Sequence, residues 1–245
     1  MTKRQWKNLL NAIHHGNCIL MLGPAVSSRE QNHQFTPFSQ LFAEELAEEL
    51  EEEKVDYAKE HRQNLSYISQ LYEKINDVSP LDAVYAAKDF YKAQAQQPNS
   101  IHQTLAELPF HLILNTTPDD LMFKAMRKAG NFQTHHQHYN FSKNKSKKAD
   151  FDKDAETNWD EPTKSNPLIY NLFGFYEVPA SLVLSQTQQV VFTSAVVSKN
   201  PRIPTAISSQ FDGSKTYLFL GFDWEEWHLP LLLGSFNLHQ QQEGN

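Results

Sequence analysis

The sequence predicts a Rossmann-like α/β fold, a parallel sheet with helices on both faces and a helical insertion after the first strand. Three observations carry this. Four short apolar runs, at residues 18–22, 111–115, 168–172 and 216–220, lack the polar alternation of a one-sided sheet, as strands buried on both faces do. Each run ends in a glycine or polar turn. The stretches between them repeat apolar residues at helical spacing.

Taken in order, Trp6, Leu9, Leu10 and Ile13 predict a first helix that stops at Gly16. The run Cys18-Ile19-Leu20-Met21-Leu22 then leads into Gly23-Pro24-Ala25-Val26-Ser27-Ser28, a strand entering a tight turn. Residues 37–97 read as the helical insertion. Phe38, Leu41, Phe42, Leu46 and Leu50 make an apolar stripe, and the acidic run from Glu44 to Glu53 reads as its solvated face. Ser79-Pro80 marks a further helix start. After a short helix and the second strand, Thr116-Thr117-Pro118-Asp119-Asp120 forms a turn before a helix at 121–129. Residues 140–166 are polar and lysine-rich and read as a mobile loop. Two helices, at 187–197 and 204–211, precede the fourth strand. A last helix at 224–236 and a Gln-rich end at 239–245 complete a chain read as one domain over residues 1–245.

Composition narrows the function. Hydrophobic residues make up 40% of the 245, enough for a sizeable core. The formal net charge of -7 argues against nucleic acid, whose binding is dominated by cationic contacts to phosphate. The N-terminus lacks the apolar core and cleavage site of a secretory signal, and no run is long enough to span a bilayer. Cys18, the one cysteine, excludes an intrachain disulfide and a four-cysteine zinc site. A cytoplasmic protein without membrane or metal is expected. His135, His136 and His138 form the densest ligand-type group, yet no carboxylate stands at a diagnostic spacing, and they read as solvent-facing strand and loop residues.

In an open parallel sheet, ligands bind beyond the carboxyl ends of the strands. Candidate binding residues are therefore Gly23, Pro24, Ala25, Ser27, Thr116, Thr117, Asp119, Gly174, Gly221, Phe222 and Asp223. Taken singly, none of these turns is specific: the first lacks the G-x-G-x-x-G spacing and no lysine-bearing phosphate loop occurs. Asp119 also suits a helix cap.

Together and in this order, four segments resemble the sirtuin-like domains of bacterial antiphage defence proteins. Leu20-Met21-Leu22-Gly23-Pro24-Ala25-Val26-Ser27 is similar to the family's first cofactor loop. Leu112 to Leu121, through Thr116-Thr117-Pro118-Asp119, resembles its Thr-Thr-Asn-Tyr-Asp segment. Pro167 to Gly174, with the later Ser181-Leu182-Val183-Leu184, resembles its Leu-His-Gly segment, and Tyr217 to Phe222 its last strand and loop. The resemblance implies NAD, ADP-ribose or a related nucleotide as ligand, and cleavage of NAD between nicotinamide and ribose as the usual reaction. It also implies a homo-oligomer or a partner effector domain. It departs from the protein deacetylases, whose zinc module needs four cysteines.

The family's catalytic Asn and His fall on Thr117 and Phe173. Phenylalanine transfers no proton, and a hydroxyl does not reproduce an amide's paired donor and acceptor. The expectation is a catalytically degenerate nucleotide-binding module, acting as sensor, scaffold or oligomerisation unit. Two alternatives stand beside it. One is an active NAD hydrolase with Asp119 or Asp223 as substitute carboxylates. The other is a protein–protein module whose pocket Phe173 plugs.

Overall fold

The computed structural model describes residues 2–31, 34–75, 79–142, 161–211, 214–224, 231, 232 and 234. Most of the loop expected at 140–166, most of the last helix and the Gln-rich end lie outside these residues.

Helix α1 (Lys3–His14) opens on a capping box in which Thr2 and Gln5 satisfy each other's backbone N–H. It buries Leu9 and Ile13 and stops at Gly16, whose φ of 72° suits glycine. Strand β1 (Cys18–Leu22) is buried throughout. Burial pushes the Cys18 thiol up to about 11, so it stays protonated at neutral pH. A hairpin unforeseen from sequence follows, β2 (Ser28–Gln31) against β3 (Gln34–Pro37).

The insertion is helical as expected. It comprises α2 (Phe38–Glu52), a 3-10 turn at Lys59–His61, α3 (Leu65–Tyr72) and α4 (Pro80–Gln94). Ser79 and Asp82 form the capping box of α4, with Pro80 in its first turn. Phe38 and Phe42 pack on Phe90 and Tyr91 within one apolar cluster with Leu46, Leu50 and Ile68. The acidic run on α2 does more than face water. Glu44, Glu49 and Glu51 accept hydrogen bonds from Gln63, Tyr72 and Tyr57 respectively, and Lys59 pairs with Glu51.

The chain continues through α5 (Ser100–Ala106), β4 (Leu112–Asn115), α6 (Leu121–Lys128), β5 (His135–His138), β6 (Leu168–Asn171), α7 (Gln186–Ser198), α8 (Thr205–Ser208) and β7 (Thr216–Leu220). The five long-range strands form one parallel sheet in the order β5-β6-β4-β1-β7. Alternate residues of β1 serve opposite faces. Ile19 and Met21 join Phe192, Val196 and Ile207 of α7 and α8. Leu20 and Leu22 join Leu9, Leu105 and Met122 of α1, α5 and α6. That two-sided burial is why β1 is uniformly apolar.

Register fixes where function can sit. Leu220 pairs with Leu22, Leu22 with Asn115, Asn115 with Asn171, and Asn171 with His138. The last residues of all five strands thus form one row, and the loops that follow emerge along a single edge.

Candidate functional site

That edge is built on close backbone packing. Gly23 donates its N–H to Leu220 O at 2.7 Å, and Ala25 to Gly221 O at 3.1 Å. A Cβ on Gly23 would stand 2.3 Å from the Gly221 carbonyl oxygen, so no side chain fits there. Gly221 itself has φ 75°. The chain runs from β1 toward β4 on one side and returns from β6 to β7 on the other. This junction of β1 and β7 is therefore the topological switch point, where open α/β sheets bind ligands.

The first loop is held on every side. Asn99 caps α5 with Oδ1 and donates through Nδ2 to Val26 O at 2.9 Å. Phe38 N donates to Ser27 O, and Ser27 Oγ lies 2.9 Å from Thr117 Oγ1. Thr117 Oγ1 donates in turn to Asn115 Oδ1 at 2.8 Å. The Thr117 hydroxyl, buried, thus ties the ends of β1 and β4 together. Thr116 repeats the link, its N–H and hydroxyl both reaching Leu22 O.

A pocket of about 510 Å³ opens on this edge. Its floor comes from the strand ends: Pro24 and Ala25 after β1, Thr116 to Pro118 after β4, Phe173 after β6, and Gly221, Phe222 and Asp223 after β7. The facing wall, not foreseen from sequence, comes from the insertion. Ser39 and Gln40 at the start of α2, Glu60 and His61 of the 3-10 turn, and Asn64 to Ser66 at the start of α3 line it. No lysine or arginine does so among the described residues; Glu60 and Asp223 are the carboxylates and His61 the imidazole.

The remaining expected site residues lie behind the lining. Gly23 and Ser27 hold the first loop, as described. Gly174, at φ 89°, brings its backbone against Ser181, where a Cβ would meet the carbonyl oxygen at 2.1 Å. Asp119 is 1% exposed, and its Oδ1 accepts the N–H of Leu121 at 2.9 Å, a local turn contact just before α6, whose N-cap is Asp120. Its backbone carbonyl accepts from Asn171 Nδ2, which ties the β4 loop to β6. Phe173 packs edge-on against Phe192 at 4.9 Å, with Val183 and Leu184 beside it in the pocket.

Of the β5 histidines, His135 is exposed as expected, whereas His136 and His138 are half-buried. His136 is stacked on Phe123 at 5.5 Å and edge-on to Phe175 at 4.8 Å, because α6 covers this strand. Among the described residues no group of three or more His, Cys, Asp or Glu is placed to hold a metal ion. Nor is any helix of these residues long and apolar enough to cross a membrane.

Burial lowers the pKa of His102, His111 and His136; Asp119 opposes this at His102, whereas Lys215 adds to it at His111. Such groups stay neutral when folded but take a proton near pH ~6.5 when unfolded. The unfolded chain then binds more protons, so stability is full above pH ~6.5 and declines as pH falls below it. Denaturant midpoints measured at pH 7.5 and 5.5 should show the loss, up to about 1.4 kcal/mol per pH unit per histidine.

The sequence is similar to those of known proteins. The sequence model of the family described as SIR2-like domain matches residues 111–243. NAD(+) hydrolase ThsA of Acinetobacter baumannii (strain 532279) is 27% identical over 150 residues, covering 60% of this chain and 26% of the relative. The chain thus spans about a quarter of the length of that curated relative.

Proposed function

This chain belongs to the SIR2-like domain family, and from that premise we propose that its strand-edge pocket binds NAD, ADP-ribose or a related nucleotide without cleaving it. The observation that carries this reading is the state of the two positions expected to be catalytic. Thr117 spends its hydroxyl on Ser27 and Asn115, and Phe173 lies in apolar packing against Phe192. Neither offers a group that moves a proton or orients water. Meanwhile a cavity of 510 Å³ at the switch point has the size of a small-molecule site, which favours a ligand over a plugged pocket.

The phosphates of such a ligand would rest against α2 rather than in the glycine turn. The N–H groups of Gly23, Ala25 and Val26 are already bonded, and Pro24 has none. Helix α2 begins without a side-chain cap, and Ser39 and Gln40 of its first turn line the pocket. Uncapped N–H groups at a helix start attract anions without a cationic side chain. Asp223 would accept from ribose hydroxyls.

In this reading residues 1–245 act as one domain, a cytoplasmic sensor or scaffold in a bacterial antiviral defence protein. It would work as a homo-oligomer or beside an effector partner; the exposed Leu81 and Tyr85 on α4 offer apolar surface for such contacts. The rival reading, an NAD hydrolase with a rearranged site, has Glu60, His61 and Asp223 in its favour, since all three line the pocket. A thermal melt separates binding from its absence. Ligand at 100 times Kd stabilises by about 2.7 kcal/mol, which raises Tm by roughly 5–10 °C in a domain of this size. No rise with NAD or ADP-ribose would remove the proposal.

A further inference from the structure

We propose that Phe222 and Trp224, on the loop after β7, form an aromatic shelf that stacks a purine base at the mouth of the pocket. This rests on the reading that the pocket holds a nucleotide. The ring of Phe219, on β7, meets Phe222 at 5.7 Å and Trp224 at 5.2 Å, both near-perpendicular. It thereby buttresses the pair from the sheet side. Phe222 and Trp224 are 5.9 Å apart and tilted by only 32°, closer to a continuous surface than to an edge-on pair. Phe222 and Asp223 line the pocket, and Trp224, one residue on, is 57% exposed. Trp224 does not itself line the pocket, but its indole adjoins the lining ring of Phe222 and leaves apolar area open that a stacked ring would cover.

The chemistry of the lining points the same way. With no lysine or arginine among the lining residues, recognition at this end falls to aromatic faces, the Asp223 carboxylate and backbone groups. Base-on-aromatic stacking needs no charge and accepts any base. An uncharged, two-ring purine covers the tandem surface better than a single pyridinium ring. Span matters too. Phe173 follows β6 and Phe222 follows β7, three strand spacings away across β4 and β1, or about 14 Å. A ligand touching both ends must be long, with one ring system at each.

Calorimetric titrations of the full chain with AMP, ADP-ribose and nicotinamide mononucleotide test the assignment. Trp224→Ala should weaken AMP and ADP-ribose about tenfold, and Trp224→Phe about threefold or less. Nicotinamide mononucleotide, which has no purine, should bind both variants like the parent. Because Trp224 is exposed, melting curves of the variants should overlay the parent's. Unchanged AMP affinity in Trp224→Ala, or an equal loss for nicotinamide mononucleotide, would overturn the shelf while leaving the nucleotide pocket standing. Failure of the parent to bind any of the three would overturn both.

Discussion

Incubated with NAD, the purified protein should release no nicotinamide above the uncatalysed background. Positioned acid–base groups contribute about 100- to 10,000-fold each, and both expected positions are vacated. The structure adds a reason that the substitutions alone do not. Thr117 is a fastener between the ends of β1 and β4, its hydroxyl donating to Asn115 and accepting from Ser27. An asparagine placed there must replace both bonds before it can orient anything. Chromatography of the reaction mixture checks the outcome. Turnover that disappears in Asp223→Ala would instead establish the rearranged carboxylate site. Asp119 is poorly placed for that role, since it is buried and holds the N–H of Leu121.

Gly174→Ala should cost about 3 kcal/mol, combining left-handed backbone strain with a steric collision. Its φ is 89°, and an added Cβ would meet Ser181 O at 2.1 Å, backbone that yields only if the loop moves. At roughly 2–4 °C per kcal/mol, Tm should fall by about 6–12 °C. Gly130→Ala supplies the control. It has φ 91° but nothing within 4 Å of the new Cβ, so strain acts alone and the loss should be about 1 kcal/mol. Equal losses at the two sites would show that the contact with Ser181 is not what fixes the β6 loop. Phe173 precedes Gly174 directly, so the same variant should displace one end of the pocket floor.

The parts of the molecule legible in the sequence are those set by burial on both faces. Cys18–Leu22 and Leu168–Asn171 can be read because every residue is covered, leaving no polar alternation to confuse them. The hairpin of β2 and β3 escaped because Ser28–Gln31 and Gln34–Pro37 carry little apolar pattern. Strand β5 is an edge strand built of His-His-Gln-His; His135 stays exposed, but His136 and His138 are partly covered by Phe123 of α6 and by Phe175, which are distant in sequence.

The candidate site divides the same way. Its floor follows strand ends and was legible. Its facing wall, from Ser39 to Ser66, depends on how the insertion folds back over the sheet edge, which local spacing does not encode. Asn99 is a related case. Its cap of α5 and its grip on Val26 O, 73 residues away, appear only in the fold.

In the proposed reading, the pocket over the β1–β7 junction holds a nucleotide and leaves it whole. Isothermal titration with NAD, followed by chromatography of the recovered ligand, tests both halves at once. Saturable binding at one NAD per chain, with the dinucleotide recovered intact, is the expected result. No saturable heat, or nicotinamide and ADP-ribose in place of NAD, would contradict it.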